Sequence, residues 1–173
     1  MDNVYFSAIN KKVKVSNSYI AQYRTKKLHQ ERKLKGMVQC GKACPACPYI
    51  NVRKTVKIDK DTQWKINRKF SCQNYNIIYL ISCEKERCKD IKYIGETGRS
   101  LKTRLADHCG YVRNNHTDQA TGAHFNQPGH SLADMKILIL EQVKSNDPAY
   151  RKEREHHFIN KFNSHYKGMN KQG

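Results

Sequence analysis

Beyond residue 74 the hydrophobic pattern is that of a packed domain. Three short runs rich in β-branched and aromatic residues predict buried strands, which cover residues 77–82, 91–95 and 135–141. Three segments with a helical pattern predict helices, which cover residues 101–113, 119–126 and 148–162. Ser100 can cap the first of these helices, and Asp147 followed by Pro148 can begin the last. Residues 73–173 are therefore predicted to form an α/β domain.

The first 72 residues divide into two segments of different composition. Residues 1–39 are basic and thinly apolar, and Ser18 can cap a helix that runs to about Lys35 with an irregular apolar face. The alternatives to this helix are a flexible basic arm and the end piece of a larger protein. Residues 40–72 are predicted to form a cysteine-rich, zinc-binding linker with short alternating segments.

The charge of the chain indicates an anionic partner. Among its 173 residues, 33 Lys and Arg stand against 15 Asp and Glu, which gives a formal net charge of +18. Nucleic acid fits such a surplus, since neutralised phosphates release condensed counterions; the alternative is a solvated basic face. No apolar run approaches the ~18 residues that cross a bilayer, and the first residues lack a secretory signal. We therefore expect neither membrane association nor secretion.

Four cysteines upstream of the predicted domain have the spacing of a zinc site. Seven cysteines without an export signal favour metal binding or core thiols over disulfides. Cys40-x3-Cys44-x2-Cys47 can direct several thiolates at one ion, and Cys72 can supply the fourth. The alternative is that these are ordinary buried thiols.

A second candidate zinc set is more widely spaced. Cys83-x4-Cys88 lies between the first two predicted strands, and His124-x5-His130 follows downstream. Two cysteines and two histidines would form a closed tetrahedral shell, which is typical of structural zinc. The alternative is a pair of buried thiols with surface imidazoles. Cys109 belongs to neither set and is predicted to be a small core residue.

Several polar residues occur where apolar ones are expected. Arg104 and His108 are four residues apart on one predicted helix and so share a face. Glu155 falls on the inward stripe of the last helix, where a carboxylate is costly unless a cation meets it. Tyr79 and Tyr93 lie within adjacent predicted strands. These residues can form a catalytic group, or an Arg–Glu ion pair with the tyrosine hydroxyls in its network.

In order and approximate spacing, these residues resemble the GIY-YIG nuclease domain. The resemblance covers residues 77–170, and its most specific piece is YIGETGRSLKTRLADH. It implies a GIY-YIG fold, with a small three-stranded, mostly antiparallel sheet flanked by helices, a zinc-binding insertion and a basic N-terminal extension. The matching positions are Ile77-Ile78-Tyr79, Tyr93-Ile94-Gly95, Arg104, His108, Glu155 and Gly168-Met169-Asn170.

The chain is most similar to the endonuclease domain of Penelope-like retroelements. Those domains carry two cysteines between the two tyrosine motifs and two histidines downstream, together with an upstream CGxxCxxC segment. The chain departs from the family pattern at Ile77, where glycine is usual. The residues that match the insertion are Cys83, Cys88, His124 and His130.

The resemblance implies metal-dependent hydrolysis of a DNA phosphodiester bond. Glu155 would hold one Mg²⁺ or Mn²⁺ ion, and Arg104 would brace the phosphate with its planar donors. Asn170 would hold Glu155 or the backbone in place. Structural zinc, as one or two ions, would occupy the cysteine and histidine sets.

The resemblance implies that aromatic residues activate the attacking water. Tyr79 would be the general base, with a pKa lowered from about 10 by the metal and Arg104. His108 and Tyr93 would position the water or relay its proton. The product would be a nick with a 3′ hydroxyl.

The retroelement setting implies further expectations about partners. The 3′ end would prime reverse transcription at the target site, and the parent protein would carry a reverse transcriptase and so act near RNA. Double-stranded DNA would be the substrate, and the protein would be nuclear. Two alternatives stay open: a non-catalytic, zinc-stabilised nucleic-acid-binding module, and a cellular repair nuclease of the GIY-YIG type.

Overall fold

The computed structural model describes residues 17–25, 35–41 and 43–170. By its internal packing the chain divides between Lys35 and Gly36. The strands are β1 (Gly36–Met37), β2 (Thr55–Lys57), β3 (Gln63–Lys65), β4 (Lys69–Phe70), β5 (Ile77–Cys83), β6 (Lys92–Thr97) and β7 (Met135–Gln142). The helices are α1 (residues 17–25), α2 (Leu101–Arg113), α3 (Ala120–Phe125), α4 (Pro148–Lys161) and α5 (Ser164–Lys167).

Helix α1 is the described part of the basic N-terminal segment. It covers residues 17–25 with exposed side chains, and the rest of the helix predicted to reach Lys35 lies outside the described residues. Within the part of the chain that is described, no helix combines the length and apolar character needed to span a bilayer. The predicted three-part division at residues 39 and 72 stays a prediction.

A three-stranded antiparallel sheet in the order β6-β5-β7 forms the centre of the domain. The central strand β5 is nearly all buried, which explains its continuous run of apolar residues. Tyr79 pairs with Gly95 on one side and Ile139 on the other, and a bulge separates Ile78 from Tyr79. The structure thus confirms the predicted fold class, a mixed α/β domain with a small antiparallel sheet flanked by helices.

The two long helices begin where their capping residues predict. The Ser100 hydroxyl accepts a hydrogen bond from the Thr103 N–H at the start of α2, and the Asp147 carboxylate accepts one from the Ala149 N–H at the start of α4. Pro148 occupies the first turn of α4, where its missing N–H costs nothing. Both caps fix the phase of a helix that carries candidate site residues.

The cysteine-rich segment packs along the outer edge of the sheet. Ile50 forms a parallel bridge with Ile137, and the Asn51 N–H donates to the Ile137 carbonyl over 2.9 Å. The Trp64 indole, in the β2–β3 hairpin, donates to the Leu140 carbonyl over 3.2 Å. Ile50, Asn51 and Trp64 therefore cover part of the outer edge of β7.

Two ion pairs fasten α4 to the sheet. The buried Arg151 Nε donates to Glu96 Oε2 on β6 over 2.8 Å, and Arg151 Nη1 donates to the Asn146 carbonyl over 2.9 Å. Arg154 Nη2 donates to Glu141 Oε2 on β7 over 2.7 Å. These contacts fix the rotation of α4, and with it the direction of the residue one turn beyond Arg151.

Replacing Arg151 with methionine should destabilise the domain by about 2 kcal/mol, less than the ~3–5 kcal/mol of a fully buried pair because Glu96 is partly exposed. The cause is the Glu96 charge left without its partner. Denaturant unfolding measures the free energy. The control is Lys89→Met, which removes an exposed pair with Glu86 and should cost about 0.5 kcal/mol or less. Equal losses in both variants would contradict the role of Arg151.

Candidate functional site

The two predicted catalytic tyrosines project from one face of the sheet. Side chains alternate along β6, so Tyr93 and Gly95 point to the same side, and Tyr79 on β5 pairs with Gly95. The rings of Tyr79 and Tyr93 have centroids 6.3 Å apart. A Cβ atom on Gly95 would lie 2.6 Å from Tyr79 Cζ. Only glycine at this position leaves room for the Tyr79 ring.

Helix α2 brings Arg104 and His108 to the Tyr79 hydroxyl. Arg104 Nε donates a hydrogen bond to Tyr79 Oη over 2.8 Å. His108 Nε2 lies 2.8 Å from the same oxygen, and His108 Nδ1 lies 2.9 Å from Thr121 Oγ1 on α3. The four-residue spacing of Arg104 and His108, one helical turn, lets both reach one phenol.

The pKa of His108 fixes the direction of these hydrogen bonds. Burial, with a contribution from the Arg104 charge, lowers this pKa to about 3, so the imidazole is neutral. The fully buried Tyr79 hydroxyl already accepts from Arg104 Nε, and the neutral His108 Nε2 at 2.8 Å is an acceptor, so the Tyr79 O–H donates to His108 Nε2. His108 Nδ1 then carries the proton and donates to Thr121 Oγ1. The result is a chain of hydrogen bonds from Arg104 to Thr121.

Both tyrosines are held in the protonated state. Burial raises the pKa of Tyr79 well above 10, with a further increase from Tyr93, although Arg104 opposes the shift. Burial likewise raises the pKa of Tyr93. The sequence predicted that Tyr79 acts as a phenolate, but the Arg104 charge alone does not lower the pKa of Tyr79 enough for this. The hydrogen bond to His108 offers the phenol a different acceptor for its proton.

Glu155 on α4 faces this group as a half-buried carboxylate. Its Oε1 accepts a hydrogen bond from the Glu96 backbone N–H over 3.1 Å, and burial, followed by the Glu96 charge, raises its pKa. The Glu155 charge also raises the pKa of Tyr79 and Tyr93, so the carboxylate lies near both rings. It forms no ion pair with any described residue. The alternative of an Arg104–Glu155 ion pair is not realised, and Arg104 instead pairs with Asp107 over 3.5 Å.

Asn170 contacts the backbone of β6. Its Oδ1 accepts from the Ile94 N–H and its Nδ2 donates to the Ile94 carbonyl, each over 2.8 Å. Of the two positions that the sequence left open for this residue, the structure places it on the backbone and gives it no hydrogen bond to Glu155. It holds the strand segment between Tyr93 and Gly95.

The donors around Glu155 fit a hard divalent cation. A half-buried carboxylate without an ion pair needs a cation, and carboxylate and water oxygens are the ligands that Mg²⁺ and Mn²⁺ prefer. The neighbouring Glu96 carboxylate already pairs with Arg151. Glu155 is therefore the residue that would hold the ion.

Sequence reasoning missed three residues that support the site. Thr121 orients His108, and Glu96 supplies the N–H that holds Glu155. Asp107 is bonded to Arg104 and also to Arg99. The spacing of Asp107 three residues after Arg104 could have indicated this pair. Thr121 and Glu96 reach the site through tertiary packing, which no local pattern encodes.

The upstream cysteines converge as predicted. The Sγ atoms of Cys44 and Cys72 are 3.4 Å apart, and those of Cys40 and Cys47 are 3.6 Å apart. All four Sγ atoms lie within 4.8 Å of one another, as a tetrahedral Zn–S site with bonds of about 2.3 Å requires. Desolvation opposes ionisation of Cys44, but the Ala46 N–H and the other three thiols lower its pKa to about 7. This chemistry fits zinc.

The second predicted set also converges. The four ligand atoms of Cys83, Cys88, His124 and His130 lie within 4.8 Å of one another, and Cys88 Sγ is 3.2 Å from His130 Nε2. His124 Nε2 is buried without a hydrogen-bond partner, and such an atom indicates a metal ligand. The set ties the β5–β6 connection to α3 and the loop beyond it. Cys109 is buried outside both sets.

Each set should hold one zinc ion, so we expect two ions per chain. His130→Ala should reduce the zinc content to one ion and lower the melting temperature, because zinc-binding free energy contributes directly to folding. Elemental analysis and thermal unfolding measure the two effects. Cys109→Ala is the matched control and should keep both ions. Retention of two ions by His130→Ala would contradict the second set.

Stability should depend on pH through His108. The unfolded chain, with a pKa of about 6.5, binds more protons than the fold down to about pH 3, so stability falls as the pH decreases through this window. The variant His108→Gln lacks this contribution. We expect it to be less stable than the wild type at neutral pH but to lose less stability on acidification, as measured by thermal unfolding. His157→Gln, on the exposed side of α4, should follow the wild type, and parallel curves for His108→Gln would contradict a neutral, buried imidazole.

Comparison with known protein families identifies the matched region. The model of the GIY-YIG catalytic domain matches residues 75–170, more than half of the chain. Neither the curated proteins nor the solved structures gave a match. The matched region contains the tyrosines, Arg104, His108 and Glu155, whose convergence is described above. The chain belongs to the GIY-YIG catalytic domain family, whose members are nucleases that use divalent metal ions.

Proposed function

We propose that this protein is a DNA endonuclease that depends on Mg²⁺ or Mn²⁺ and cleaves one strand to leave a 3′ hydroxyl. The observation that carries this proposal is the position of Glu155, a carboxylate without an ion pair beside the hydrogen-bonded group of Tyr79, Arg104 and His108. A purely structural network would pair the carboxylate with the guanidinium. Here the carboxylate is left for a cation, and the guanidinium, bound by Tyr79 and Asp107, keeps further N–H donors for an anion.

Arg104 is suited to bind the scissile phosphate. Its Nε is engaged by Tyr79, and its Nη1 makes a long contact with Asp107, which leaves N–H donors of the fork for non-bridging oxygens. A guanidinium fixed by two partners needs no reorganisation when charge develops on the phosphate. A divalent ion held by Glu155 would stabilise the charge on the phosphate and on the departing 3′ oxygen.

The hydrogen-bond chain can accept the proton of the attacking water. When the bound phosphate brings water to the Tyr79 hydroxyl, its negative charge also favours the protonated form of His108 more than the free protein does. As the water oxygen forms its bond to phosphorus, its proton moves to Tyr79 Oη, and the Tyr79 proton moves to His108 Nε2. Tyr79 thus acts as a base without resting as a phenolate. The P–O3′ bond breaks, the departing 3′ oxygen takes a proton from a second water, and His108 returns its proton to solvent, so the products are a 5′ phosphate and a 3′ hydroxyl. Tyr93 lies beside Tyr79 and would help to position the water.

We further propose that the protein is of the Penelope-like retroelement type. The support is the two ligand sets: four cysteines upstream of the sheet, and a second set whose cysteines lie at the end of β5 and in the β5–β6 connection and whose histidines lie on α3 and after it. In that setting the 3′ hydroxyl would prime reverse transcription at a nuclear target site. The parent protein would carry a reverse transcriptase, and the net charge of +18 suits double-stranded DNA with RNA nearby.

A plasmid-nicking assay tests the endonuclease proposal. The wild type with Mg²⁺ should convert supercoiled plasmid to the nicked circle, and Glu155→Gln and Arg104→Ala should each slow this at least about 100-fold. Glu153→Gln, an exposed neighbour on α4, is the matched control and should retain activity. A DNA polymerase should extend the nick without prior phosphatase treatment if the end is a 3′ hydroxyl.

Two outcomes would overturn the proposal. Equal nicking by the wild type and Glu155→Gln would indicate a contaminating nuclease. Inactivity of the wild type with intact DNA binding would favour the zinc-stabilised binding module. A strong preference for branched DNA over plain duplex would instead favour the repair type of nuclease and would count against the retroelement assignment.

A further inference from the structure

A basic groove lies on the face of the sheet opposite the catalytic tyrosines. Side chains alternate along β6, so Lys92 points away from the face that carries Tyr93. Two adjoining cavities of about 390 Å³ and 490 Å³ share Lys57, Asp90 and Lys92 in their walls. We call the two cavities together the rear groove. Leu80 forms part of its wall in the first cavity.

The walls of the rear groove carry an excess of positive charge. Seven cations stand against three carboxylates, those of Asp59, Glu84 and Asp90. Asp59 is already occupied by the backbone N–H groups of Asp61 and Thr62. The cations are Arg53, Lys57, Lys60, Lys89, Lys92, Lys161 and Lys167. Within the described part of the chain, only Lys89 among them forms an ion pair.

Lys92 is the most unusual of these cations. Its side chain is only 7% exposed, and its ammonium forms no hydrogen bond or ion pair with any described residue. Burial lowers its pKa; Asp90 opposes this shift without reaching ion-pair distance, and Lys57 adds to it. Among the described residues, the buried side-chain nitrogens without a partner do not include the Lys92 ammonium, so this group reaches the solvent that fills the groove. Its place in the wall shared by both cavities makes it available to an anion from outside the fold.

We propose that the rear groove binds the phosphate backbone of a second polynucleotide segment, separate from the segment that is cleaved. A single small phosphate would use two or three cations, whereas these seven extend through two joined cavities and come from both ends of the domain sequence. The groove holds none of the candidate catalytic residues, so the second segment is retained and not cut. This inference rests on the proposed function only in taking a polynucleotide as the ligand.

A bridging assay tests the rear groove. The nuclease variant Glu155→Gln is bound to an immobilised short DNA duplex, and the retention of a second, labelled oligonucleotide is measured against its concentration. Single-stranded RNA, single-stranded DNA and duplex DNA of the same sequence are used as separate labelled strands to identify the preferred form. We expect retention of the second oligonucleotide and a decrease in its affinity as salt increases.

Two groove variants, made in the Glu155→Gln background, should lose affinity for the second oligonucleotide. The double variant Lys57→Gln, Lys167→Gln removes two exposed groove cations. It should weaken the binding of the second oligonucleotide about 10-fold and reduce the dependence of its affinity on salt concentration. Lys92→Met should also weaken the binding of this oligonucleotide, because it removes the cation in the wall shared by both cavities. The matched control, Lys69→Gln with Lys152→Gln, removes two exposed lysines outside the groove.

Several results would overturn the inference. The first is that the protein does not bridge the two oligonucleotides. The second is that the control variant loses as much binding of the second oligonucleotide as the groove variant does, and the third is that the double groove variant keeps its full binding. The double variant keeps the test valid even if Lys92→Met does not fold. Bridging by a protein whose wild type fails to nick plasmid would disprove the proposed nuclease function and leave the rear groove standing.

Discussion

The Tyr79 hydroxyl is the contact on which the rest of the site depends. It accepts a hydrogen bond from Arg104 and donates one to His108, and its side chain is fully buried. A phenol fixed between a permanent cation and a neutral base is oriented by both, so small displacements of either break the arrangement. Gly95 makes this position available because any larger residue would meet the ring. The pairing of β5 with β6, the rotation of α2 and the glycine at position 95 therefore together position the Tyr79 hydroxyl oxygen.

Local patterns predicted most of the elements and the residues that carry the chemistry. The bounds of α2 follow from Ser100 and the apolar period, and the convergence of Arg104 with His108 follows from one helical turn. The cysteine spacings predicted both ligand sets. Within α2, and within each pair or triplet of closely spaced ligands, the relevant distance is set by a few residues; Cys72 and the pair of histidines join their sets through tertiary packing.

The remaining features depend on packing between distant segments. The pair of Arg151 and Glu96 sets the rotation of α4, yet these residues lie 55 positions apart and neither belongs to a recognisable motif. Trp64 reaches Leu140 across 76 positions for the same kind of reason. The ionisation states were also beyond the sequence, because the low pKa of His108 and the high pKa of Tyr79 come from burial. The sequence can predict which side chains come together, but it does not predict how far each of them is buried from solvent.

The contacts along the outer edge of β7 have a consequence for the solubility of the protein. Ile50 forms its bridge three residues after Cys47, so the segment that holds this candidate zinc ligand also pairs with Ile137 of the outer strand. With zinc bound at the cysteine set, removal of the ion would loosen that segment and expose part of an edge strand, which is a template for aggregation. In that case zinc would favour solubility as well as folding.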